Sequence, residues 1–347
     1  MSNRDLVVIG GSAGAVEPLK TILANLPADL PATVIIVLHV PAASTGIHTT
    51  VAAHAGPLPV ETASDGAALA HGKVYIAPPN HHLLISDSHL MLGDGPRENM
   101  VRPSIDPLFR SAAAVFGPRT IGVILSGMLN DGASGLQAVK RCGGIALVQA
   151  PHEARATDMP LAALEATSVD MSAEAALLAQ AIRRHVAENA PPPAHVPDDI
   201  MLEIEIAAGQ QSGSRTTGQI AKPVALTCPD CGGTLSEVNG RPPLRYRCQV
   251  GHAYTSKTLL HEQEAQVDEA MRIALRIIEE RAELVARMGR DATELGRAST
   301  ADMYARRAAE YRSQAEAIRK AVLHSLRSRS ELQVDDELPT LEVLGPD

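Results

Sequence analysis

Five short apolar runs, Leu6–Ile9, Val34–Leu38, Val74–Ile76, Ile121–Leu125 and Ile145–Val148, alternate with longer stretches of helical spacing across residues 5–170. Runs without a regular polar position suit strands buried on both faces, and connections of a dozen or more residues suit parallel neighbours joined through helices. Apolar residues at helical spacing from Gly14 to Leu26, and a proline-opened, alanine-rich stretch from Pro103 to Val115, predict two of those helices. The expected fold is α/β, a doubly wound, mainly parallel sheet with helices on both faces. Two Phe and no Trp leave its core to Ala, Val, Ile and Leu, a composition that suits helices packed on a buried sheet.

A chain of 347 residues exceeds the size at which one core stops growing. The α/β domain is expected over 1–187. The Ala-Pro-Pro-Pro-Ala-His-Val-Pro run ending at Pro197 and the Gly/Ser/Thr-rich stretch from Gly209 to Gly218 read as a linker over 188–222. A cysteine island follows over 223–255. Residues 256–330 are rich in Glu, Arg and Ala, lack proline and show helical periodicity, which predicts a helical hairpin broken near Gly296 to Thr300. An acidic, flexible tail is expected over 331–347.

Gly10-Gly11-Ser12-Ala13-Gly14 lies between the first strand and the first helix. A G-x-S-x-G string is weak alone, but in a strand-to-helix turn it is the context of a nucleophile elbow. Small neighbours permit the tight turn, and the first helical N–H groups favour nearby negative charge. The bland alternative is a structural or phosphate-binding turn.

A serine nucleophile needs a base, and the base needs an orienting partner. His39 ends the run Thr33-Val34-Ile35-Ile36-Val37-Leu38, and Asp131 lies in Gly127-Met128-Leu129-Asn130-Asp131-Gly132, just after the Ile121–Leu125 run. Carboxyl ends of strands are where α/β sheets carry ligands and catalytic groups. Each residue alone reads more simply as a packed strand-end histidine or a turn aspartate. Together with Ser12 they make a candidate triad, in an order unlike that of the usual α/β-hydrolases.

The segments Val8-Ile-Gly-Gly-Ser12-Ala-Gly14, His39, Val101-Arg-Pro-Ser-Ile-Asp-Pro-Leu-Phe109 and Leu125-Ser-Gly-Met-Leu-Asn-Asp131-Gly-Ala-Ser-Gly-Leu136 resemble the catalytic domain of CheB-type chemotaxis methylesterases, over roughly residues 4–185. The resemblance implies Ser12 as nucleophile, His39 as general base, Asp131 as orienting acid and the Met128 backbone N–H in the oxyanion hole. It implies hydrolysis of glutamate γ-methyl esters on chemoreceptor helices through an acyl-enzyme, no cofactor for catalysis, and leaves glutamine deamidation open as a second activity. Ala15 departs from the family's usual second glycine, with little loss expected. Regulated relatives carry an amino-terminal receiver domain. This chain starts at the catalytic strand, so control by a phospho-aspartate within the chain is not expected.

Cys228-Pro-Asp-Cys231 and Cys248-Gln-Val-Gly-His252 supply three thiolates and an imidazole from two knuckles, a set that suits tetrahedral zinc. Four protein ligands leave no position for water, so the expected Zn²⁺ is structural, standing in for a core too small to fold alone. Cys142, before Gly143-Gly144, reads as an inert buried thiol. His81 and His82 read as solvated loop histidines, and Arg102, Ser104 and Asp106 are shared between a helix start and a groove-side role.

A net charge of −9 and no concentrated basic stretch argue against nucleic-acid binding. No apolar run approaches the ~20 residues of a membrane span, and the metal-type spacing of the cysteines suits a reducing, cytoplasmic compartment. Expected partners are methylated chemoreceptor or similar signalling helices, without membrane insertion, and the carboxy-terminal helices suit self-association or docking. Two rivals stand beside the esterase: a signalling adaptor that uses the same fold for binding alone, and a dinucleotide-binding domain. The second lacks the G-x-G-x-x-G order and has His39 where an acidic residue would end the second strand.

Overall fold

The computed structural model describes residues 3–39, 47–193, 195–210, 213–240 and 242–334. In chain order the first domain runs β1 (Leu6–Gly11), α1 (Val16–Ala24), β2 (Thr33–Leu38), α2 (Ile47–Ala53), β3 (Val60–Thr62), β4 (Val74–Ile76), β5 (His82–Ser86), β6 (His89–Gly93), α3 (Ile105–Phe116), β7 (Thr120–Ile124), α4 (Ala133–Arg141), β8 (Ile145–Gln149), α5 (Asp158–Ala166), β9 (Met171–Ala173) and α6 (Ala175–Ala187). Seven strands form one sheet in the order β3-β4-β2-β1-β7-β8-β9, and every neighbouring pair is parallel. The expected doubly wound sheet is what forms.

Alternation along the strands explains the two layers. Val7, Ile9, Val34, Ile36, Val123 and Leu147 pack with Leu19, Ile22 and Leu23 of α1 and Leu178 and Ile182 of α6. On the other face Leu6, Val8, Ile35, Val37, Ile124 and Val148 pack with Leu108 and Phe109 of α3, Leu136 and Val139 of α4 and Met159 of α5. Fully burying one such side chain contributes about 1.5–3 kcal/mol, so both faces must be covered for these strands to be stable in water.

The chain winds outward from β1 to β2 and β4, then returns to the other side of β1 to lay down β7, β8 and β9. That reversal makes the carboxyl edge of β1 and β7 a topological switch point, where the loops diverge and leave a crevice. The antiparallel hairpin β5–β6 was not expected from the sequence. Its two strands flank a tight turn with Asp87 at positive φ, and Ile85 N–H donates to Ser111 Oγ of α3 at 3.0 Å.

The stretch read as a linker carries α7 (Asp198–Ala207) and α8 (Ser214–Ile220). Helix α7 is ordered because Ile200 packs into the α3 side of the core and Ile206 and Ala207 are fully covered. The apolar face within Ile200-Met-Leu-Glu-Ile-Glu-Ile206 is masked, at sequence level, by the proline and glycine runs around it.

A four-stranded antiparallel sheet follows: β10 (Ala221–Thr227), β11 (Thr234–Val238), β12 (Arg245–Cys248) and β13 (Ala253–Thr255). Residues Met1–Leu260 make one compact unit and His261–Asp347 a second. Two long helices, α9 (Ser256–Glu294) and α10 (Ala298–Val334), break at Gly296 with φ 69°. In the second unit they pair antiparallel through small residues, Ala282, Ala292, Ala308 and Ala315, with Arg319 on Glu279 and Arg281 over the Tyr311 ring. The expected loose tail falls, from residue 335 onward, outside the described residues.

Candidate active site

Strand register brings Ser12 and His39 to the same edge. Gly11 pairs with Leu38 at the last rung of β1 and β2, and His39 N–H donates to Gly11 O at 3.2 Å. The next residues in the two chains are therefore neighbours above the sheet. From the other side, Ser12 N–H donates to Ser126 O at 2.9 Å, just beyond β7. The serine turn needs a positive φ of 78° at Gly14, a conformation glycine adopts without strain. Ala15 is fully buried and its Cβ lies where a Cβ on Gly11 would point, so the first glycines make room for the alanine that departs from the family pattern.

His39 Nε2 and Asp131 Oδ2 lie 2.7 Å apart. In this ring orientation the nitrogen not engaged by Asp131 is Nδ1. Asp131 is buried, and its carboxylate is surrounded by donors. Oδ2 also accepts from Ile105 N–H at 2.7 Å. Oδ1 accepts from Ser104 Oγ at 2.7 Å, Asn99 Nδ2 at 2.9 Å and Gly132 N–H at 3.0 Å. The amino-terminal end of α3 points at this charge, a site where backbone N–H groups and the helix dipole favour an anion. Burial alone would raise the Asp131 carboxyl, but the His39 partner and the Ile105 and Ser104 donors outweigh it and hold the group ionised. Asp106, the next acid along α3, moves the other way, pushed up by burial and by the Asp131 charge.

Met128 projects its side chain outward, 55% exposed, from the loop after β7. Among the described residues no acceptor holds its backbone N–H. The flanking backbone is fixed: Gly127 N–H donates to Ala156 O at 3.0 Å, and Leu129 N–H to Asp158 Oδ2 at 3.0 Å, with Leu129 at φ 61°. A non-glycine residue at positive φ costs of order 1–3 kcal/mol and persists only where surroundings hold it. Ser126 Oγ ties this loop to the serine turn, donating to Ala13 O at 2.7 Å and accepting from Ala156 N–H at 2.9 Å. Sequence reasoning missed Ser126 because its partners in space, Ser12 and Ala13, Gln149 and Ala156, come from separate segments of the chain.

His82 corrects the reading of a solvated loop histidine. It is fully buried, its Nδ1 accepts from Ser104 N–H at 3.3 Å and its Nε2 donates to Pro96 O at 2.9 Å. Burial lowers its tendency to protonate. His81 is half-buried and pairs with Asp94 at 2.8 Å. Ser104 stands at the N-cap position of α3 but makes no side-chain cap bond, its hydroxyl going to Asp131 instead. Arg102 donates to the backbone carbonyls of Asp94 and Gly95.

Two cavities bear on where a substrate could sit. One of about 220 Å³ opens beside His39, lined by Asn80, Arg97, Met100, Val101, Arg102 and Pro103. A larger one, about 600 Å³, is lined by Asp198, Asp199, Leu202, Glu205, Gln219 and Asn239 among others. Its Asp199 is engaged by Arg141 at 2.7 Å and it contains none of the triad candidates. Volume alone therefore does not single out a site, and the distinguishing feature of the switch-point edge is the set of donors that converge on Asp131.

Cys228, Cys231, Cys248 and His252 present ligand atoms that all lie within 4.8 Å of one another. The sulfurs of Cys231 and Cys248 are 3.7 Å apart, and His252 Nδ1 lies 3.8 Å from Cys228 Sγ and 3.5 Å from Cys248 Sγ. Zinc–sulfur bonds of about 2.3 Å and zinc–nitrogen bonds of about 2.0 Å give tetrahedral edges of roughly 3.8 and 3.5 Å. The four residues fit such an ion. Burial, then the neighbouring Cys228, push the Cys248 thiol up to about 12, so a bound cation would compensate for gathering the sulfurs as thiolates. His252 Nε2 faces Asp230 at 4.0 Å, on the side away from the sulfurs. Cys142 is buried, and its thiol is also raised by burial.

Residues 7–182 match the family model described as CheB methylesterase. A putative protein-glutamate methylesterase/protein-glutamine glutaminase of Leptospira interrogans serogroup Icterohaemorrhagiae serovar copenhageni is 43% identical over 169 residues, covering 48% of this chain and 88% of that protein. A protein-glutamate methylesterase/protein-glutamine glutaminase 2 of Anaeromyxobacter dehalogenans is 39% identical over 166 residues, covering 48% of this chain and 49% of the relative. The crystal structure of the Thermotoga maritima CheB methylesterase catalytic domain superposes with a TM-score of 0.51 at 31% identity, covering 53% of this chain and 99% of that one. The family match ends before α7 and the cysteine ribbon.

Proposed function

We propose, on the premise that this chain belongs to the CheB methylesterase family, that Ser12, His39 and Asp131 are its hydrolytic relay. The protein is a carboxylic ester hydrolase, a protein-glutamate methylesterase of chemotaxis-type signalling. The observation that carries the residue roles is the 2.7 Å His39–Asp131 bond at the switch point, beside the serine turn.

Ser12 Oγ attacks the γ-carbonyl carbon of a methylated glutamate while His39 takes its proton. The oxyanion of the tetrahedral intermediate accepts the Met128 N–H, a donor aimed where charge develops rather than where it rests. Collapse breaks the bond to the methoxy oxygen, His39 returns the proton, and methanol leaves. A water then gives its proton to His39 and attacks the acyl-enzyme, and Ser12 and a free glutamate are regenerated. Glutamine would follow the same path with ammonia leaving. Asp131 stabilises the imidazolium in each half without taking the proton.

The 220 Å³ cavity beside His39 is roomy enough for a glutamyl ester side chain, and Arg97 and Arg102 on its wall suit an acidic polypeptide. Signalling helices of chemoreceptors are the substrate. Cys228, Cys231, Cys248 and His252 would hold a zinc ion, which supplies folding energy to the ribbon. Exposed Ile273, Ile277 and Leu284 on α9 support self-association or partner docking by the second unit. No helix among the described residues is long and apolar enough to cross a membrane, and the cysteine chemistry supports a cytoplasmic site.

Methanol release from receptor fragments carrying labelled glutamate methyl esters tests this reading. The wild type should release methanol and Ser12→Ala should lose at least about 10⁴-fold in kcat. Undiminished release by Ser12→Ala would overturn it. A folded protein that releases none from several receptor classes would favour the adaptor.

A further inference from the structure

The ribbon is joined to the catalytic machinery through one residue. Asn99 Nδ2 donates to Asp131 Oδ1 at 2.9 Å and to Asp106 Oδ2 at 3.1 Å. On its other side every polar contact goes to β13. Asn99 N–H donates to Ala253 O at 2.7 Å, and Thr255 N–H donates to Asn99 Oδ1 at 3.0 Å. One step before, Ala253 N–H donates to Arg97 O at 3.2 Å, so Glu98 and Ala253 form a single parallel bridge beside β13. Asn99 and Met100 hold φ of 51° and 68°. Two successive non-glycine residues at positive φ store strain that surrounding bonds must maintain.

The end of β13 and the first turn of α9 hold the neighbour of Asp131. Asn130 Oδ1 accepts from Thr255 Oγ1 and from Thr258 Oγ1, the latter at 3.0 Å. Below it Arg247 of β12 reaches Glu98 at 3.0 Å, fully buried. Ala253, whose carbonyl fixes Asn99, directly follows His252 of the cysteine–histidine cluster.

We infer that Asn99 is a positioning residue for the triad aspartate and that the metal-organised ribbon holds it in place through Ala253 and Thr255, so loss of the metal slackens the triad. This rests on the triad reading above. An Asn99 donor stabilises the Asp131 anion and fixes the face that it turns to His39. Without it the carboxylate holds a proton on the His39–Asp131 pair more tightly, and the imidazole is less well aimed.

The test uses the full chain, loaded with zinc or stripped by a chelator, in wild type and Asn99→Ala. Labelling of Ser12 by a fluorophosphonate counts competent sites, and kcat, KM and the pH profile of kcat/KM are measured per labelled site. Asn99→Ala should lower kcat about 100-fold with KM little changed, and move the acid limb of kcat/KM up by about one pH unit. Stripped wild type should show the same limb shift, zinc should reverse it, and stripping Asn99→Ala should add little, because both changes break one linkage. An unmoved limb in Asn99→Ala would overturn the positioning role. Additive losses, or a stripped wild type with normal per-site kcat, would overturn the role of the ribbon. Wild type labelled at Ser12 but inert toward methylated receptors removes the substrate reading only, and labelling rates of the four samples then decide the linkage. No labelling of wild type overturns both.

Discussion

Gly127 stands where Ser12 and α5 come closest. A Cβ there would meet Met159 Sδ and lie 3.0 Å from Ser12 Cβ. Gly127→Ala must displace one of them, and Met159, though flexible, is fully buried. The expected outcome is a stability loss of about 1–3 kcal/mol in urea unfolding and a fall in kcat of roughly 10²-fold from a shifted serine. His82 makes a prediction in pH. Burial depresses its folded-state pKa below the ordinary 6.5, so the unfolded chain binds its proton first as pH falls. The stability contributed by neutral His82 is complete above 6.5 and is lost as pH drops from there through the folded value. His82→Asn, which keeps an acceptor for Ser104 N–H, should therefore have a flatter fall in melting temperature between pH 7 and 5 than wild type. Equal slopes would show that His82 does not titrate on unfolding. Ser12, His39 and Asp131 could be nominated from the sequence because each sits in a local signal, a glycine turn or a strand end. Asn99 and His82 were not, since their partners lie elsewhere in the chain, for Asn99 as far as 156 residues on.

At the scale of elements, the amino-terminal turn of α3 does the work of an anion site. Ile105 N–H, the Ser104 hydroxyl and the helix dipole converge on a carboxylate from the loop after β7. Asp131→Asn preserves shape but turns a donor toward Ile105 N–H and removes the charge that steadies the imidazolium. A kcat loss near 10⁴-fold is expected, with little change in KM, and the variant should still label slowly at Ser12. Loss of less than about tenfold would mean that His39 is oriented by something else. Five of the seven strands of the parallel sheet and the α3 segment were readable from apolar periodicity, their ends within a residue or two of the expected ones, while the three-residue edge strands β3 and β9 were not. The β5–β6 hairpin and α7 were not. Each is short, and each gains its stability from burial against α3 rather than from any local propensity, which a one-dimensional pattern does not carry.

Across the larger unit, a buried charge cluster decides how domain, α7 and ribbon hold together. Glu98 and Glu203 face Arg110, Arg245 and Arg247, all nine-tenths buried or more. Glu203 lies 3.0 Å from Arg110 Nη1 and 2.8 Å from Arg245 Nη1, and Glu98 also engages Arg110. Burial drives the Glu203 carboxyl upward, but the guanidiniums of Arg245, Arg110 and Arg247 outweigh it and hold it far below the usual range. Sequence spacing gave no sign of this cluster, since Glu203 lies in the supposed linker and its partners Arg110, Arg245 and Arg247 lie in distant segments. Such a cluster is weak evidence for net stability compared with an apolar core, yet breaking it is costly because charges are left buried without partners. Glu203→Gln leaves three guanidiniums facing one nearby ionised glutamate. It should destabilise the Met1–Leu260 unit by about 3–5 kcal/mol, read as a lowered urea midpoint with an unchanged slope if ribbon and catalytic domain still unfold together. A reduced slope would show instead that the ribbon has come away first. Because Glu98 adjoins Asn99, that detachment should coincide with loss of Ser12 labelling, whereas a ribbon that stays docked should leave labelling intact up to the main transition.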